Sequence, residues 1–306
     1  MSNTGVGCYP LLRAMQRIIA VPTYNSLGVK NKIDYADAPF DDVYFLGKTN
    51  EPDPSKRWYP LPNDIKNGNS KRADSTMQTW DDQTETFVEQ APRKIMFIIT
   101  GEEASPKLHA VLKSFQNVDF SFFIVDIDKN IIGIDKGDGS LYPIRVDKNS
   151  WDPIYNMGID KENQQIACKG NFFKSERDED LAMLAYEELE YDPTDLKGLM
   201  TVIGIFSNLQ NNPGGFTIEL KDGGGTTMNP THVTGLVAAD MVLYDITTAA
   251  PIVIVSCTEH TDSNGQGTGI YDLTFANQTA NDVIKLTITK TNFDFSQVTA
   301  LRPVLV

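Results

Sequence analysis

Beyond Asn211-Asn212-Pro213-Gly214-Gly215 the chain carries no helical period, and this constrains its fold more than any other feature of the sequence. Only short apolar runs recur there: Phe216 to Leu220, Met241 to Ile246, Ile252 to Cys257, Ile270 to Phe275, Val283 to Ile288 and Val298 to Leu305, separated by Gly, Asn and Asp turns. About seven strands in about ninety residues is the signal of an all-β immunoglobulin-like sandwich, here without the cross-sheet disulfide of antibodies. The Pro-Gly-Gly cluster predicts a hinge at Gly214 and Gly215 that proteases would reach, with residues 216–306 folding alone.

A chain of 306 residues exceeds what one hydrophobic core usually serves, so two domains are expected, 1–210 and 216–306, in an α+β whole. In the first, Leu11, Leu12, Met15, Ile18 and Ile19 follow a near-helical spacing that Pro22 ends. The stretch Pro39 to Asp82, with Pro52, Pro54, Pro60 and Pro62 and only Val43 to Leu46 strand-like, reads as a long polar loop ordered by assembly. Arg93 to Thr100 is a near-continuous apolar run, which predicts a strand buried on both faces.

The period then changes. Leu108, Val111, Leu112 and Phe115 stand at i, i+3, i+4 and i+7, so Pro106 to Gln116 is an amphipathic helix with Ser105 as N-cap. Phe120 to Val125 and Ile131 to Ile134 flank Asp126-Ile127-Asp128-Lys129-Asn130 as a hairpin, and Leu141 to Val146 adds a strand. Alternation of Ile166, Cys168 and Phe172 indicates another. A second helix, capped by Ser175 or Asp178, would carry Leu181, Leu184, Ala185 and Leu189 until Asp192-Pro193 stops it, and Leu199 to Phe206 would close the domain.

A formal charge of −14 opposes tight binding to nucleic-acid backbone, although an acidic wall would let a DNA strand slide past. No apolar run reaches the length of a membrane span. The opening Met1-Ser2-Asn3-Thr4-Gly5 lacks the pattern of a secretory signal, so folding where the chain is made is the expectation. Cys8, Cys168 and Cys257 are odd in number and widely spaced, which suits reduced thiols rather than a disulfide or zinc framework.

Catalytic patterns are missing: there is no Gly-x-Ser-x-Gly, no His-Glu-x-x-His and no phosphate-cradling Gly-x-x-x-x-Gly-Lys-Ser/Thr. His109, His232 and His260 are the whole histidine complement, with His109 beside the apolar stripe of its helix. Asp126-x-Asp128-x-Asn130 begins like a calcium loop but has Ile131 and Gly137 where the loop needs Gly and an acid, so a hairpin turn is the reading. Glu259, His260 and Asp262 could share a metal at a loop tip, and an exposed polar loop explains them as well. Gly223-Gly224-Gly225 and Gly265-Gln266-Gly267-Thr268-Gly269 open no helix and read as turns. No catalytic, cofactor or metal residue is assigned, and no enzyme is expected.

The arrangement of a mixed α/β domain with a long polar loop, followed by an immunoglobulin-like domain, resembles the major tail tube proteins of tailed bacteriophages. Arg72-Ala73-Asp74-Ser75-Thr76 through Arg93 to Thr100 is similar to the tube-forming strands of that family, with helix Pro106 to Gln116 outside the sheet. Ala239-Asp240-Met241-Val242, Gly269 to Phe275 and Ile284 to Ile288 look like the accessory domain often fused to phage structural proteins. The resemblance implies a virion protein assembled in the host cytoplasm. It also implies homohexameric rings, stacked into a tube, contact with other tail proteins, DNA passing through the lumen unbound, and no membrane. A neck or connector ring, a head decoration protein and a non-viral surface-binding protein are alternatives. On the tube reading Arg93 to Thr100 is an open edge that neighbouring subunits close.

Overall fold

Strand Phe120–Asp126 is buried at every position, and the first half of the chain is arranged around it. The computed structural model describes residues 14–63, 65–72, 76–81, 83–89, 91–158, 164–173, 181–209, 214–225 and 230–306. They fall into two compact units, 1–198 and 199–306, each with its own core. The chain is β-rich with few helices, an α+β composition of several sheets.

In the first unit side chains alternate across the sheet. Phe120, Phe122 and Ile124 enter one core with Ile18, Ile95, Phe97, Trp151 and Ile166, while Phe123 and Val125 enter another with Ile19, Phe45, Trp58 and Leu141. Phe120–Asp126 is two-faced, as are its antiparallel neighbours Met15–Pro22 and Ile131–Asp135, each with residues in both cores. Arg93–Thr100, expected to be buried on both faces, buries Ile95, Phe97 and Ile99 on one face and leaves Met96 51% exposed on the other.

Helix Pro106–Ser114 forms where its spacing placed it, with the Ser105 hydroxyl accepting from Leu108 N at 3.2 Å. It is held to strand Ile144–Asn156 by Trp151 Nε1 donating to Leu112 O at 2.8 Å and Gln116 Nε2 donating to Trp151 O at 2.8 Å. The Phe120–Asp126 and Ile131–Asp135 hairpin is present, and Gln165–Phe172 alternates as expected.

Four expectations for this unit are corrected. Residues Met15–Pro22 form a strand, because five consecutive positions from Arg17 to Val21 are buried and a helix would turn two of them outward. Within Pro39 to Asp82, Asp42–Thr49 is a helix rather than containing a strand, capped by Asp41 accepting from Tyr44 N at 2.8 Å. That region is no polar loop: Phe40, Phe45, Trp58, Leu61 and Ile65 are all buried. Leu181–Leu184 is a strand paired with Ile131–Asp135, not a helix, and its expected caps Ser175 and Asp178 lie outside the described residues.

Arg17 ties these pieces together at 5% exposure. Its Nε donates to Leu61 O at 2.7 Å, Nη1 to Thr194 O at 2.6 Å and Pro193 O at 3.3 Å, and Nη2 to Leu196 O at 2.5 Å. Four backbone carbonyls thus solvate one buried guanidinium. Burial draws its pKa down to about 10, against weaker opposing pulls from Tyr191 and the acids Glu103, Asp195 and Asp192. The 193–195 turn is set for this by Asp192, which accepts from Thr194 N at 2.9 Å and pairs with Lys129.

The second unit is a sandwich of two sheets. Phe216, Ile218, Leu220, Tyr271 and Leu273 from one sheet and Met241, Leu243, Ile284 and Leu286 from the other share one core. The boundary moves from 210/216 to 198/199, because Met200–Ser207 pairs antiparallel with Gly215–Gly225 and parallel with Phe293–Asp294. Gly214 and Gly215 form no hinge between domains. A Cβ on Gly215 would lie 2.3 Å from Leu273 O, so glycine is demanded by close strand approach. Val298 to Leu305 is not a strand: Ser296–Ala300 is a short helix whose Val298 is buried against Gly204.

Two outcomes follow from these contacts. Residues 199–306 expressed alone should unfold cooperatively, whereas 216–306, missing a sandwich strand, should give a non-cooperative transition by circular dichroism. Arg17→Met should cost unit one about 3–5 kcal/mol by urea titration, because it strands four inward carbonyls, and Arg17→Lys should recover only part of that.

Candidate assembly surface

Strands Lys66–Arg72 and Arg93–Thr100 pair with each other, and Thr76–Thr79 and Glu85–Glu89 pair beyond them. The two antiparallel pairs, here called the arm, belong to separate sheets among the described residues, and a register shift falls between Thr76 and Met77 in the outer one. Its turn is closed by Trp80 N donating to Thr84 O and Gln83 N to Trp80 O, both at 2.9 Å, with Gln83 at φ 63°. Trp80 Nε1 also donates to Thr86 Oγ1 at 2.9 Å.

The base of the arm is built into the main sheet: Arg93–Thr100 has Gln165–Phe172 on one side and Lys66–Arg72 on the other. This corrects the expectation of an open edge at Arg93 to Thr100, since the chain covers both edges of that strand itself. Among the described residues the edge falls instead on Lys66–Arg72, whose sequence Lys-Asn-Gly-Asn-Ser-Lys-Arg is polar and basic, a composition that discourages indiscriminate strand addition.

The outer part of the arm differs. Thr76–Thr79 and Glu85–Glu89 form a two-stranded sheet with no third strand among the described residues. Met77 is 46% exposed, Trp80 52%, Phe87 57% and Val88 52%, and a two-stranded ribbon is marginal by itself. The sequence there also carries Asp81, Asp82, Glu85 and Glu89, while the stem carries Lys66, Lys71, Arg72, Arg93 and Lys94. By sequence the outer segment is acidic with apolar residues interspersed, and the inner one is basic.

The residues singled out by chemistry do not converge. Asp126 accepts from Asp128 N at 2.9 Å and Asn130 N at 3.0 Å, and Asn130 Nδ2 reaches the same carboxylate, so Asp126-x-Asp128-x-Asn130 is a self-satisfied turn with Lys129 at φ 67°. Glu259 accepts from Gly235 N at 2.9 Å and Gly269 N at 3.0 Å, His260 Nε2 faces Asp272 Oδ2 at 2.7 Å, and Asp262 accepts from Asn264 N and Gln266 N at 2.8 Å. These three point to different partners. His109 Nε2 lies 3.1 Å from Pro153 O, and His232 Nε2 lies 3.2 Å from Glu219 Oε1.

Gly223 to Gly225 end strand Gly215–Gly225 rather than making a turn, while Gly265 sits in the turn between Asp262 and Gln266 at φ 75°. Burial pushes the Cys168 thiol up to about 12, and burial with nearby Asp240 and Glu259 raises Cys257, so neither is a ready thiolate at neutral pH. Cys8 lies outside the described residues. Among the described residues no group of three His, Cys, Asp or Glu side chains could hold a metal, and no helix is long and apolar enough to cross a membrane. A hollow of about 620 Å³ is walled by Tyr24, Tyr59, Val111, Phe115 and Val118, with Asp119 at its side already paired to Lys148 and Arg145.

No protein family, no curated protein and no solved structure matches the chain. Met77 and Trp80 were missed as strand partners of the regular stretch that begins at Phe87 and Val88 because prolines upstream made the whole of Pro39 to Asp82 read as one loop. The signal available was Met77, Trp80, Phe87 and Val88 around an Asp-Asp turn.

Asp126→Ala should destabilise unit one by about 1–3 kcal/mol, because two backbone donors lose a buried acceptor. Millimolar calcium should move the thermal midpoint of neither the wild type nor this variant; a calcium-dependent rise in the wild type alone would reinstate a metal at the turn.

Proposed function

We infer that the chain is a self-assembling structural subunit of a virion, and that it serves as a tail tube protein of a tailed bacteriophage, in stacked rings around a lumen for DNA. The observation that carries this reading is the arm: a two-stranded ribbon with a half-exposed Trp and Phe at its end gains stability by docking on another molecule. Its acidic tip and basic stem are complementary to one another across copies. A contact that joins different patches on successive copies is heterologous, and such contacts close into rings or propagate as filaments. The net charge of −14 suits a channel that passes DNA without holding it. The two-sheet second unit supports an immunoglobulin-like accessory module.

The interior position of Arg93–Thr100 favours a second reading, in which copies join through their arms alone and form a single connector ring or a decoration layer without a shared barrel. Negative-stain microscopy separates the two, since the first gives tubes of variable length and the second discrete rings or monomers bound to a capsid.

Trp80→Ser with Phe87→Ser should leave the urea midpoint of the subunit within about 0.5 kcal/mol of wild type, as exposed positions do. Sedimentation should then show only small species where the wild type gives large particles. Assembly undiminished in the double variant would remove the arm from the mechanism, and a wild type that stays monomeric at high concentration would remove the structural reading itself.

A further inference from the structure

The first unit carries a projecting apolar surface and a recessed one. The projecting surface is the outer ribbon of the arm. Met77 stands opposite Phe87 in its register, and Thr86, which accepts from Trp80 Nε1 at 2.9 Å, stands opposite Gln78. Alternation therefore sends Met77 and Phe87 to one face of the ribbon and Trp80, with Thr86, to the other. One flat surface cannot cover both faces of such a ribbon, whereas a hollow can.

The recessed surface is the hollow of about 620 Å³. Val111, Phe115 and Val118 reach it from helix Pro106–Ser114 and the residues after that helix, while Pro22, Tyr24 and Tyr59 reach it from strand Met15–Pro22 and the chain beyond. The polar groups in its wall already have partners. Ser114 Oγ donates to Val111 O at 2.6 Å, the Tyr59 hydroxyl to Pro54 O at 3.1 Å and Ser55 Oγ to Asp53 Oδ1 at 2.7 Å. Asp119 pairs with Lys148 at 3.2 Å and Arg145 at 3.3 Å. Such a wall recognises its occupant through apolar contact. The volume lies within the range of about 300–1,000 Å³ of cavities that hold a whole organic ligand, so an indole and a second ring fit together.

We propose that this hollow receives the outer ribbon of the arm from a second copy of the chain, with the Trp80 indole seated among Tyr24, Val111 and Phe115. The proposal names the receiving surface for the self-assembly put forward above and rests on that reading. Donor and acceptor chemistry agree on the two sides: the indole N–H is already bonded to Thr86, so the ring arrives as apolar surface at a wall whose polar groups are also engaged. Charge favours the same pairing. Asp81 and Glu85 are exposed beside Trp80, while Lys148 lines the hollow and the exposed Lys107 stands one turn before Val111 on the same helix face. Large aromatic side chains bury about 150–250 Å² each and dominate interface energetics, which makes Trp80 and Phe87 the anchors. Ribbon and hollow are different patches, so each copy gives one contact and receives another, and the contact is heterologous.

Tryptophan fluorescence of the full chain, with acrylamide as quencher and sedimentation velocity alongside, tests the contact. Trp58 and Trp151 are each 1% exposed and Trp80 is 52%, so the quenchable emission belongs to Trp80. Quenching should fall as rising concentration drives the wild type into large species. Val111→Asp with Val118→Asp, at positions 44% and 50% exposed, should stay folded by circular dichroism, stay small, and keep Trp80 quenchable at every concentration. Tyr24→Ser, which reaches the hollow from the other segment, should do the same. Mixing the Val111/Val118 variant with Trp80→Ser/Phe87→Ser should give two-copy complexes and nothing larger, because only one intact ribbon meets one intact hollow. Folded hollow variants that assemble like the wild type, or a mixture that stays monomeric while the wild type assembles, overturn the proposal and leave self-assembly standing. A wild type that assembles with Trp80 still open to acrylamide overturns it too, and leaves the hollow to a small apolar ligand. A wild type that remains monomeric overturns the assembly reading and this contact with it.

Discussion

Everything in the first unit answers to a strand with no exposed side. Phe120–Asp126 separates two apolar cores, and a strand in that position must have neighbours on both edges and cover on both faces. Met15–Pro22 supplies one edge, with Ile131–Asp135 and the start of Ile144–Asn156 sharing the other. Helix Asp42–Thr49 and Trp58 close one face, and helix Pro106–Ser114 with Trp151 helps close the other. At roughly 25 cal/mol per Å² of buried apolar area, layers on both sides of one strand make it the most costly element to expose.

The second unit solves a different problem. Its two sheets each have one dry face, so a single shared core suffices, and outward positions such as Ile203, Ile205, Val242 and Val255 stay exposed. Glycine controls how closely its strands approach. Gly214 and Gly215 stand where side chains would collide with Asn277 and Leu273, and Gly204 leaves room for Val298.

The sequence announced elements whose signals are local. Ser105-Pro106 followed by a helical stripe is capping chemistry, and the Asp126 to Asn130 turn bonds itself, so both were legible without knowledge of the fold. Elements decided by partners were not. Met15–Pro22 and Leu181–Leu184 carry runs too short for periodicity to distinguish helix from strand, and sheet pairing chose. Val43-Tyr44-Phe45-Leu46 looks like a strand, but the Asp41 cap makes it a helix whose Phe45 is fully buried. The glycines at 214 and 215 have the composition of a linker and the role of packing residues, a distinction visible only once the carbonyl of Leu273 is in place.

Arg17 and the carbonyl of Leu196 are 179 residues apart in the chain, and the bond between them is among the shortest that the guanidinium makes. During synthesis the strand Met15–Pro22 therefore leaves the ribosome long before the carbonyls that solvate its arginine exist. Until about residue 196 emerges, closing the core would bury an unsolvated charge, so the nascent segment is held in partly open states. At translation rates of roughly 5–20 residues per second that interval lasts on the order of ten to forty seconds. The first unit is in this sense timed: its core seals as its own last segment appears.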